Sequence, residues 1–393
     1  MKSMLAACSR RIDSVQCPII PVIAEKIRKT PGTISLGQGV VYYGPPEQAL
    51  NRISDFLGNP DHHKYGTVQG LPELRDAIAK KLSRENRIGL ERSEIVVTAG
   101  SNMGFYHAVL AIGDPGDEFI IAEPYYFNHE MAIRMAGCRP VAVPVDDGYQ
   151  IQPARIAVAI TRRTRAIVTI SPNNPTGAVY SEENLWAIND LCLRQGIYHI
   201  SDEAYEYFVY GSKRHFSPAS IPGSAAHTIS LFSLSKAYGF ASWRIGYMVI
   251  PAGLLDAISK IQDTVLICPP VISQFAALGA LDAGLDYFQS KFGQIGTMRS
   301  ELLGRLGDLE ELIETPVSEG AFYILLKVRT EIDDLTLVDR LIQRYRVAAI
   351  PGSAFGIREG CYLRVAYGAL DQPSAEVGAG RLIDGIRGLI SAA

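Results

Sequence analysis

Short β-rich runs alternate with longer helical segments over about 200 residues, and this alternation constrains the fold more than any other feature of the sequence. The runs are rich in Val and Ile, as strands covered on both faces of a sheet are. The helical segments repeat apolar residues every three or four positions. The pattern predicts an α/β large domain with a mostly parallel central sheet covered by helices. The predicted strands are 94–98, 118–122, 165–171, 196–201, 228–232 and 247–250, and the predicted helices are 73–82, 102–112, 127–136 and 182–195.

Both ends of the chain depart from this pattern. Four prolines lie within the first 45 residues and a fifth follows at position 46, so we expect an irregular segment that drapes over the rest of the protein. From residue 285 onward the pattern predicts a smaller α+β domain. The expected units are therefore 1–45, a large domain over 46–284 and a small domain over 285–393. In the small domain the predicted helices are 287–306, 336–345 and 374–390, and the predicted strands are 321–328 and 362–366.

Composition excludes several classes of protein. With 47% hydrophobic and 20% charged residues, the composition is that of a folded soluble protein and excludes a disordered chain. The length of 393 residues predicts two or three domains, or one large domain with a satellite. A net charge of −3 gives no basic field for nucleic acid, and no apolar run is long enough for a bilayer. Six scattered cysteines without a C-x-x-C pair predict no disulfide framework, no metal site and a cytoplasmic location. Residues 4–8 look like a lipoprotein cleavage site, but the apolar stretch is too short for export.

Three polar segments follow predicted strands, where α/β sheets place ligands. They are 171–177 (SPNNPTG), 201–205 (SDEAY) and 233–236 (SLSK), the last followed by 243–246 (WRIG). Alone, each is typical of a turn, a helix cap or a solvated lysine. In this order, they resemble the fold-type I pyridoxal-phosphate enzymes, and more narrowly the class I/II aminotransferases. The resemblance runs from about residue 35 to the C-terminus.

The resemblance implies the cofactor pyridoxal 5'-phosphate and names its reactive partners. Lys236 matches the lysine that bonds covalently to the cofactor and then acts as a base at the substrate α-carbon. Asp202 matches the carboxylate that keeps the pyridine nitrogen protonated. Asn174 and Tyr205 match the pair that donates to the ring's phenolate oxygen. Lys236, Asp202 and Tyr205 are the expected catalytic residues.

A second group of matches concerns the cofactor's phosphate and ring face. Arg244 lies where the family has a phosphate-binding arginine, and Ser233 and Ser235 add hydroxyl groups. Tyr126 is the expected stacking aromatic, with its neighbour Tyr125 as the alternative. The remaining phosphate-binding residues are expected to open a helix whose N–H groups bind an anion; they are Gly100, Ser101 and Asn102.

Further matches concern the substrate and the assembly. Arg364 resembles the arginine that binds the substrate α-carboxylate, with Asn174 and Gly39 beside it. Tyr65 resembles the tyrosine that reaches the cofactor phosphate of a neighbouring subunit, so the resemblance implies a homodimer with its active site at the interface. The implied reaction is a ping-pong transfer of an amino group between an L-amino acid and a 2-oxo acid.

The expected substrate is neutral or aromatic rather than dicarboxylic. Relatives that select aspartate place an extra cation near the positions of Asn102 or Pro270, and neither residue is basic. An unpaired buried carboxylate is costly. The expected pocket wall is apolar or aromatic, although the same residues would also suit a core: Val40, Tyr42, Tyr43 and Val265.

Two alternatives remain open at this point. A lyase or synthase on the same fold, such as a C–S lyase or a cyclopropane-forming synthase, would share the cofactor residues and release product without an oxo-acid acceptor. A ligand-sensing regulatory domain would need a basic DNA-binding module, and only about 35 residues precede Ser35.

Overall fold

The protein is described by a computed structural model that covers residues 8–314 and 317–390. Of the sequence resembling a lipoprotein site, residues 4–7 lie outside the described residues. The strands are β1 Ile34–Ser35, β2 Ser93–Thr98, β3 Glu118–Glu123, β4 Arg139–Pro144, β5 Thr164–Ile170, β6 Tyr198–Asp202, β7 Thr228–Ser233, β8 Gly246–Pro251, β9 Ile313–Glu314, β10 Tyr323–Val328, β11 Val347–Ala348, β12 Ile350–Pro351 and β13 Cys361–Ala366. The helices are α1 Arg10–Asp13, α2 Ile19–Arg28, α3 Glu47–Leu57, α4 Pro72–Lys81, α5 Ser101–Ile112, α6 Phe127–Met135, α7 Pro153–Ala159, α8 Glu182–Gln195, α9 Leu255–Leu266, α10 Val271–Leu306, α11 Asp334–Arg340 and α12 Gln372–Ile390.

The large sheet confirms the predicted α/β class. It has seven strands in the order β2-β8-β7-β6-β5-β3-β4, and only β8 runs antiparallel to its neighbours. All six predicted strands are present, with their ends displaced by at most two residues. The sequence pattern missed β4, because Pro140 and Pro144 indicate breaks. Proline is tolerated there because β4 lies at the edge of the sheet.

Helices bury both faces of this sheet. On one face, Val168 and Leu231 pack with Phe105 of α5. On the other, Ile167 packs with Ile188 of α8. Burying each such side chain contributes about 1.5–3 kcal/mol, which explains why the runs are apolar on both sides. The C-terminal edge of the sheet is left for polar residues.

The smaller sheet is formed by the C-terminal part of the chain. Its strand order is β12-β13-β10-β9, and a separate parallel pair joins β1 to β11. Helix α10 links the two regions and breaks at Gly284, where φ is 63° and ψ is −158°. This break falls at the predicted boundary between 284 and 285; the domain limits themselves remain predictions. Within the described residues, no helix combines the length and apolar character needed to cross a membrane.

The prediction of an irregular N-terminal segment is wrong in part. Helix α2 begins after Pro18 and contains Pro21 in its first turn, where a missing N–H costs nothing. The segment does lie over the rest of the protein. Ile23 is buried, and Lys26 pairs with Asp339 of α11 at 2.8 Å.

Candidate active site

One cavity lies where β2, β5, β6 and β7 end, and we call it the central cavity. Parallel strands bring the residues that follow them to one edge of the sheet. Ten of the twelve cofactor-binding residues predicted from sequence line it. The complete lining is Ser101, Asn102, Tyr126, Ile170, Asn174, Asp202, Ala204, Tyr205, Ser233, Ser235, Lys236 and Arg244.

Lys236 extends into the central cavity from the irregular turn that follows β7. Its Nζ donates to the carbonyl oxygen of Gly39 at 2.6 Å. Burial, with added repulsion from Arg364 and Arg244, lowers the pKa of Lys236 from 10.5 to about 8. About a tenth of this amine is therefore neutral at pH 7, whereas an ordinary lysine is almost wholly protonated there. The neutral form is the one that can act as a nucleophile or base.

Asp202 ends β6, and its carboxylate is buried. Its Oδ1 accepts from the backbone N–H of Ala204 at 3.1 Å, and Oδ2 lies 3.0 Å from Nε2 of His129 in a contact without hydrogen-bond alignment. His129 stacks on Phe105 at 3.9 Å, which fixes its ring. Sequence reasoning missed His129. Its position one helical turn after Tyr126 was the available signal.

Tyr205 and Asn174 line the same cavity, and each contacts a residue of the small sheet. The Tyr205 hydroxyl hydrogen-bonds that of Tyr323 at 2.8 Å. Burial raises the pKa of Tyr205 well above its usual value, so the phenol keeps its proton. Asn174 Oδ1 accepts from Arg364 at 3.0 Å. No role was predicted for Tyr323 from the sequence.

The N-terminus of α5 offers an anion-binding end. Gly100 precedes it with φ +84°, and no side chain caps this helix. A Cβ on Gly100 would lie 2.3 Å from Nη2 of Arg244, so the glycine leaves room for the guanidinium. Ser233 and Ser235 line the same cavity. Backbone N–H groups, hydroxyls and a cation together suit a phosphate group.

The structure separates the two tyrosines that compete for the stacking role. Tyr126 lines the central cavity, and its hydroxyl accepts from Asn128 Nδ2 at 2.8 Å. Tyr125 instead packs against Gly356, where a Cβ would lie 2.3 Å from its ring. Tyr126 is therefore placed to meet a ring in the cavity, and Tyr125 is not.

Arg364 is a buried guanidinium with no acidic partner among the described residues. It is 2% exposed, Nη2 donates to the Gly37 carbonyl at 2.6 Å, and Nε has no partner within the described chain. The ring centroids of Tyr323 and Phe355 lie 4.6 and 5.2 Å from its Cζ. A buried charge without a counter-ion is costly, so the site favours an anionic ligand.

A second space adjoins the central cavity, and we call it the adjoining cleft. Gly39 lies in it beside Tyr323, whose hydroxyl oxygen would be 2.4 Å from a Cβ at position 39. Lys236 and Arg364 both reach it. The complete lining is Pro18, Ile20, Pro21, Gln38, Gly39, Val40, Tyr126, Phe127, Asn128, Asn174, Tyr205, Lys236, Tyr323 and Arg364.

The predicted pocket wall is correct only for Val40. Tyr42 and Tyr43 turn away from the cleft, and the Tyr43 ring packs edge-on against Tyr287 of α10. Val265 is 48% exposed on α9. Residues 40–43 are an irregular stretch with bends, and the side chains of Tyr42 and Tyr43 contact α10 instead of the cleft. Pro18, Ile20 and Phe127 form the wall in their place.

Tyr65 does not line either space. Its side chain is 79% exposed, so its predicted role toward a neighbouring subunit stays a prediction.

Residues 31–382 match the family model for aminotransferase class I and II. An aromatic aminotransferase of Arabidopsis thaliana is 34% identical over 394 residues, which is 97% of this chain and of that protein. A probable aspartate/prephenate aminotransferase of Aquifex aeolicus is 38% identical over 337 residues, which is 82% of each.

Solved structures agree with this match. A Thermus thermophilus aspartate aminotransferase with maleate has a TM-score of 0.88 at 30% identity and covers 97% of this chain and 100% of that one. An aromatic aminotransferase of Pyrococcus horikoshii has a TM-score of 0.85 at 30% identity and covers 93% and 99%. On fold, site and sequence together, the chain belongs to the class I and II aminotransferase family.

Proposed function

We propose that this aminotransferase transfers the amino group of a neutral or aromatic L-amino acid to a 2-oxo acid, with pyridoxal 5'-phosphate in the central cavity. Members of the family use this cofactor. The observation that carries the proposal is that Arg364 is buried without an acidic partner among the described residues. It lines the same cleft as Lys236, and much of the cleft wall is apolar. Arg364 supplies the charge for an α-carboxylate, and Lys236 supplies the base.

The residues of the central cavity fit the cofactor. Lys236 would bond to it, Asp202 would face the ring nitrogen, and Tyr205 and Asn174 would meet the phenolate oxygen. Tyr126 would cover the ring. The phosphate would be held by Gly100, Ser101, Asn102, Ser233, Ser235 and Arg244. When bound, pyridoxal phosphate withdraws electrons from the substrate α-carbon.

The chain's own residues then orient the substrate and move one proton. Arg364 binds the α-carboxylate through a planar fork of donors, which fixes the position of the α-carbon. The Lys236 amine, once free of the cofactor and neutral, would accept the α-proton at Nζ and would afterwards give it up as an acid. Tyr205, kept protonated by burial and held by Tyr323, donates a hydrogen bond without exchanging its proton.

The walls of the adjoining cleft support the choice of substrate. Pro18, Ile20, Val40 and Phe127 offer apolar surface to a side chain. Among the described residues that line this cleft, the cations are Lys236 and Arg364, and both are already assigned. A second carboxylate would be buried without a partner, which costs several kcal/mol. The relatives described above include an aromatic aminotransferase and a probable aspartate/prephenate aminotransferase, so their names do not choose between substrates. The proposed substrate class therefore rests on the residues that line the cleft.

A substrate screen tests this choice. We expect kcat/KM for phenylalanine, tyrosine or methionine to exceed that for aspartate by about 10²-fold, since an unpaired carboxylate costs a few kcal/mol. Stopped-flow absorbance of the cofactor would follow each half-reaction. As a matched variant, Ile20→Lys adds a cation to the wall of the adjoining cleft, where the second carboxylate would lie, and should narrow the ratio. A kcat/KM of the wild type that is highest for aspartate would contradict the proposal. Release of ammonia in the absence of an oxo acid would contradict it as well.

Covalent capture of the cofactor should depend on pH through Lys236. Its pKa in the folded protein is lowered to about 8, so the neutral amine becomes dominant as pH rises through 8. The capture rate of the cofactor-free protein should rise about tenfold per pH unit below 8 and level off above it. With an unperturbed lysine, the capture rate would keep rising up to about pH 10.4. Borohydride quenching at timed intervals measures the rate, and a midpoint above pH 10 would contradict the lowered pKa.

We propose a homodimer in which Tyr65 reaches the cofactor phosphate of the partner subunit. Support comes from the high exposure of Tyr65 and of the apolar Leu57, which precedes it in the chain and is 61% exposed. Burial of such side chains between copies is favourable.

We also propose a cytoplasmic setting, since the six free cysteines suit a reducing compartment.

A further inference from the structure

We infer that Tyr43 is a positioning residue for Lys236, a role that rests on the proposed function of that lysine. The Tyr43 hydroxyl donates to the carbonyl oxygen of Ala237 at 3.1 Å and lies 3.4 Å from the carbonyl oxygen of Lys236. Tyr43 itself does not touch either space of the active site. It acts on the backbone that carries the lysine.

The backbone around Lys236 needs such a donor. Residues 234–240, which we call the lysine turn, form turns over 234–238 and a bend at 239, and no regular helix. The Lys236 carbonyl accepts from the N–H of Gly239 at 3.3 Å, but the Ala237 carbonyl receives no backbone N–H within the described chain. Buried carbonyl groups are normally paired. The Tyr43 phenol fills this place.

Tyr43 is itself held firmly. Its ring packs edge-on against Tyr42 at 5.1 Å and against Tyr287 at 5.9 Å. Burial raises the pKa of Tyr43 far above its usual value, so the hydroxyl remains a donor. The next residue, Gly44, lies so close to the lysine turn that a Cβ on Gly239 would be 2.5 Å from its carbonyl oxygen. Gly44 also accepts a hydrogen bond from the Tyr287 hydroxyl.

The same stretch of chain holds Lys236 at its other end. The Gly39 carbonyl accepts from Lys236 Nζ, four residues before Tyr43. The segment 37–44 therefore holds both the tip of the lysine and the peptide at its base. A lysine side chain has four rotatable bonds, and fixing both ends limits where Nζ can go. That position decides how well the amine meets the α-proton.

The variant Tyr43→Phe removes one oxygen atom and keeps the ring contacts. We expect the single-turnover rate with phenylalanine to fall about three- to tenfold, which corresponds to the loss of one neutral hydrogen bond. KM should stay the same, because Arg364 is untouched. The kinetic isotope effect with α-deuterated phenylalanine should rise, since proton transfer becomes slower relative to the other steps. The melting temperature should fall by about a few degrees at most, because the buried Ala237 carbonyl loses its donor.

The matched control is Tyr42→Phe. In the wild type the Tyr42 hydroxyl donates to the carbonyl oxygen of Lys291 at 3.4 Å and does not contact the lysine turn. We expect wild-type rates and isotope effect from this variant. A second measurement, independent of turnover, is the rate at which each cofactor-free protein captures pyridoxal phosphate at Lys236. We expect Tyr43→Phe to capture more slowly than Tyr42→Phe and the wild type.

Three results would overturn the inference. One is equal behaviour of Tyr43→Phe and the wild type in both measurements. Another is an equal slowing in both variants. The third is a lower melting temperature of Tyr43→Phe with an unchanged isotope effect, which would make its role purely structural. Failure of the wild type to capture pyridoxal phosphate at Lys236 would instead defeat the proposed function, so the two failures are distinguishable.

Discussion

Replacement of Lys236 by alanine is expected to lower the single-turnover rate of amino transfer by about 10⁴-fold. The lysine serves as both the covalent attachment point and the base, and a positioned base alone contributes about 10²- to 10⁴-fold. Asp202 and His129 lie close by, but each contacts the other instead of the cleft. Neither replaces a neutral amine at this place.

Two controls make the result specific. Lys236→Arg keeps a positive charge but stays protonated at all accessible pH values, so we expect the same loss. Lys260→Ala removes an exposed lysine that pairs with Asp256 on α9, and wild-type rates are expected. Rapid-mixing absorbance with phenylalanine measures all three. Retention of more than a tenth of the wild-type rate in Lys236→Ala would contradict the assigned role.

Replacement of Arg364 by leucine is expected to lower kcat/KM for phenylalanine by about 10²- to 10³-fold. Loss of one partner of a buried charge pair costs about 3–5 kcal/mol. The buried guanidinium is held by Asn174 and by two aromatic rings, so its position is already set before a carboxylate arrives. Such preorganisation makes the interaction strong.

An amine without a carboxylate isolates this effect. Phenylethylamine shares the ring of phenylalanine but has nothing for Arg364 to bind. In the wild type we expect kcat/KM for phenylalanine to exceed that for phenylethylamine by about the 10²- to 10³-fold that Arg364→Leu loses. In Arg364→Leu we expect similar kcat/KM values for the two amines. Arg364→Lys keeps the charge without the planar fork and should fall between. An equal loss for both amines in Arg364→Leu would indicate structural damage instead of lost carboxylate binding.

Much of the site could be predicted because its residues follow strands. Asn174 and Lys236 come shortly after β5 and β7, and Asp202 is the last residue of β6. The alternating pattern already implies that these strands are parallel and adjacent. Parallel strands place the following residues at one edge. Sequence order alone therefore carried the geometry of the central cavity.

Contacts between distant parts of the chain were beyond this reasoning. Tyr205 meets Tyr323 across 118 positions of sequence, and this contact depends on how β10 of the small sheet packs over the large one. The contact between His129 and Asp202 depends on which face of α6 lies against the end of β6. Periodicity shows which faces of an element are apolar, but not which distant element lies opposite.

The pocket wall failed for a related reason. Val40, Tyr42 and Tyr43 are all large and apolar enough for a pocket or a core, and their composition does not decide between the two. The packing of Tyr43 on Tyr287 of α10 decided it. The apolar character of the cleft was nevertheless right, because Ile20 and Phe127 supply it from elsewhere.

The most direct test of the central claim is the site of covalent labelling by pyridoxal 5'-phosphate. The full chain would be incubated with the cofactor, reduced with borohydride, digested and analysed by peptide mass spectrometry. We predict stoichiometric modification of Lys236 and none at an exposed lysine such as Lys64, whose side chain is 75% accessible. Absence of label at residue 236, or label spread evenly over surface lysines, would contradict the account.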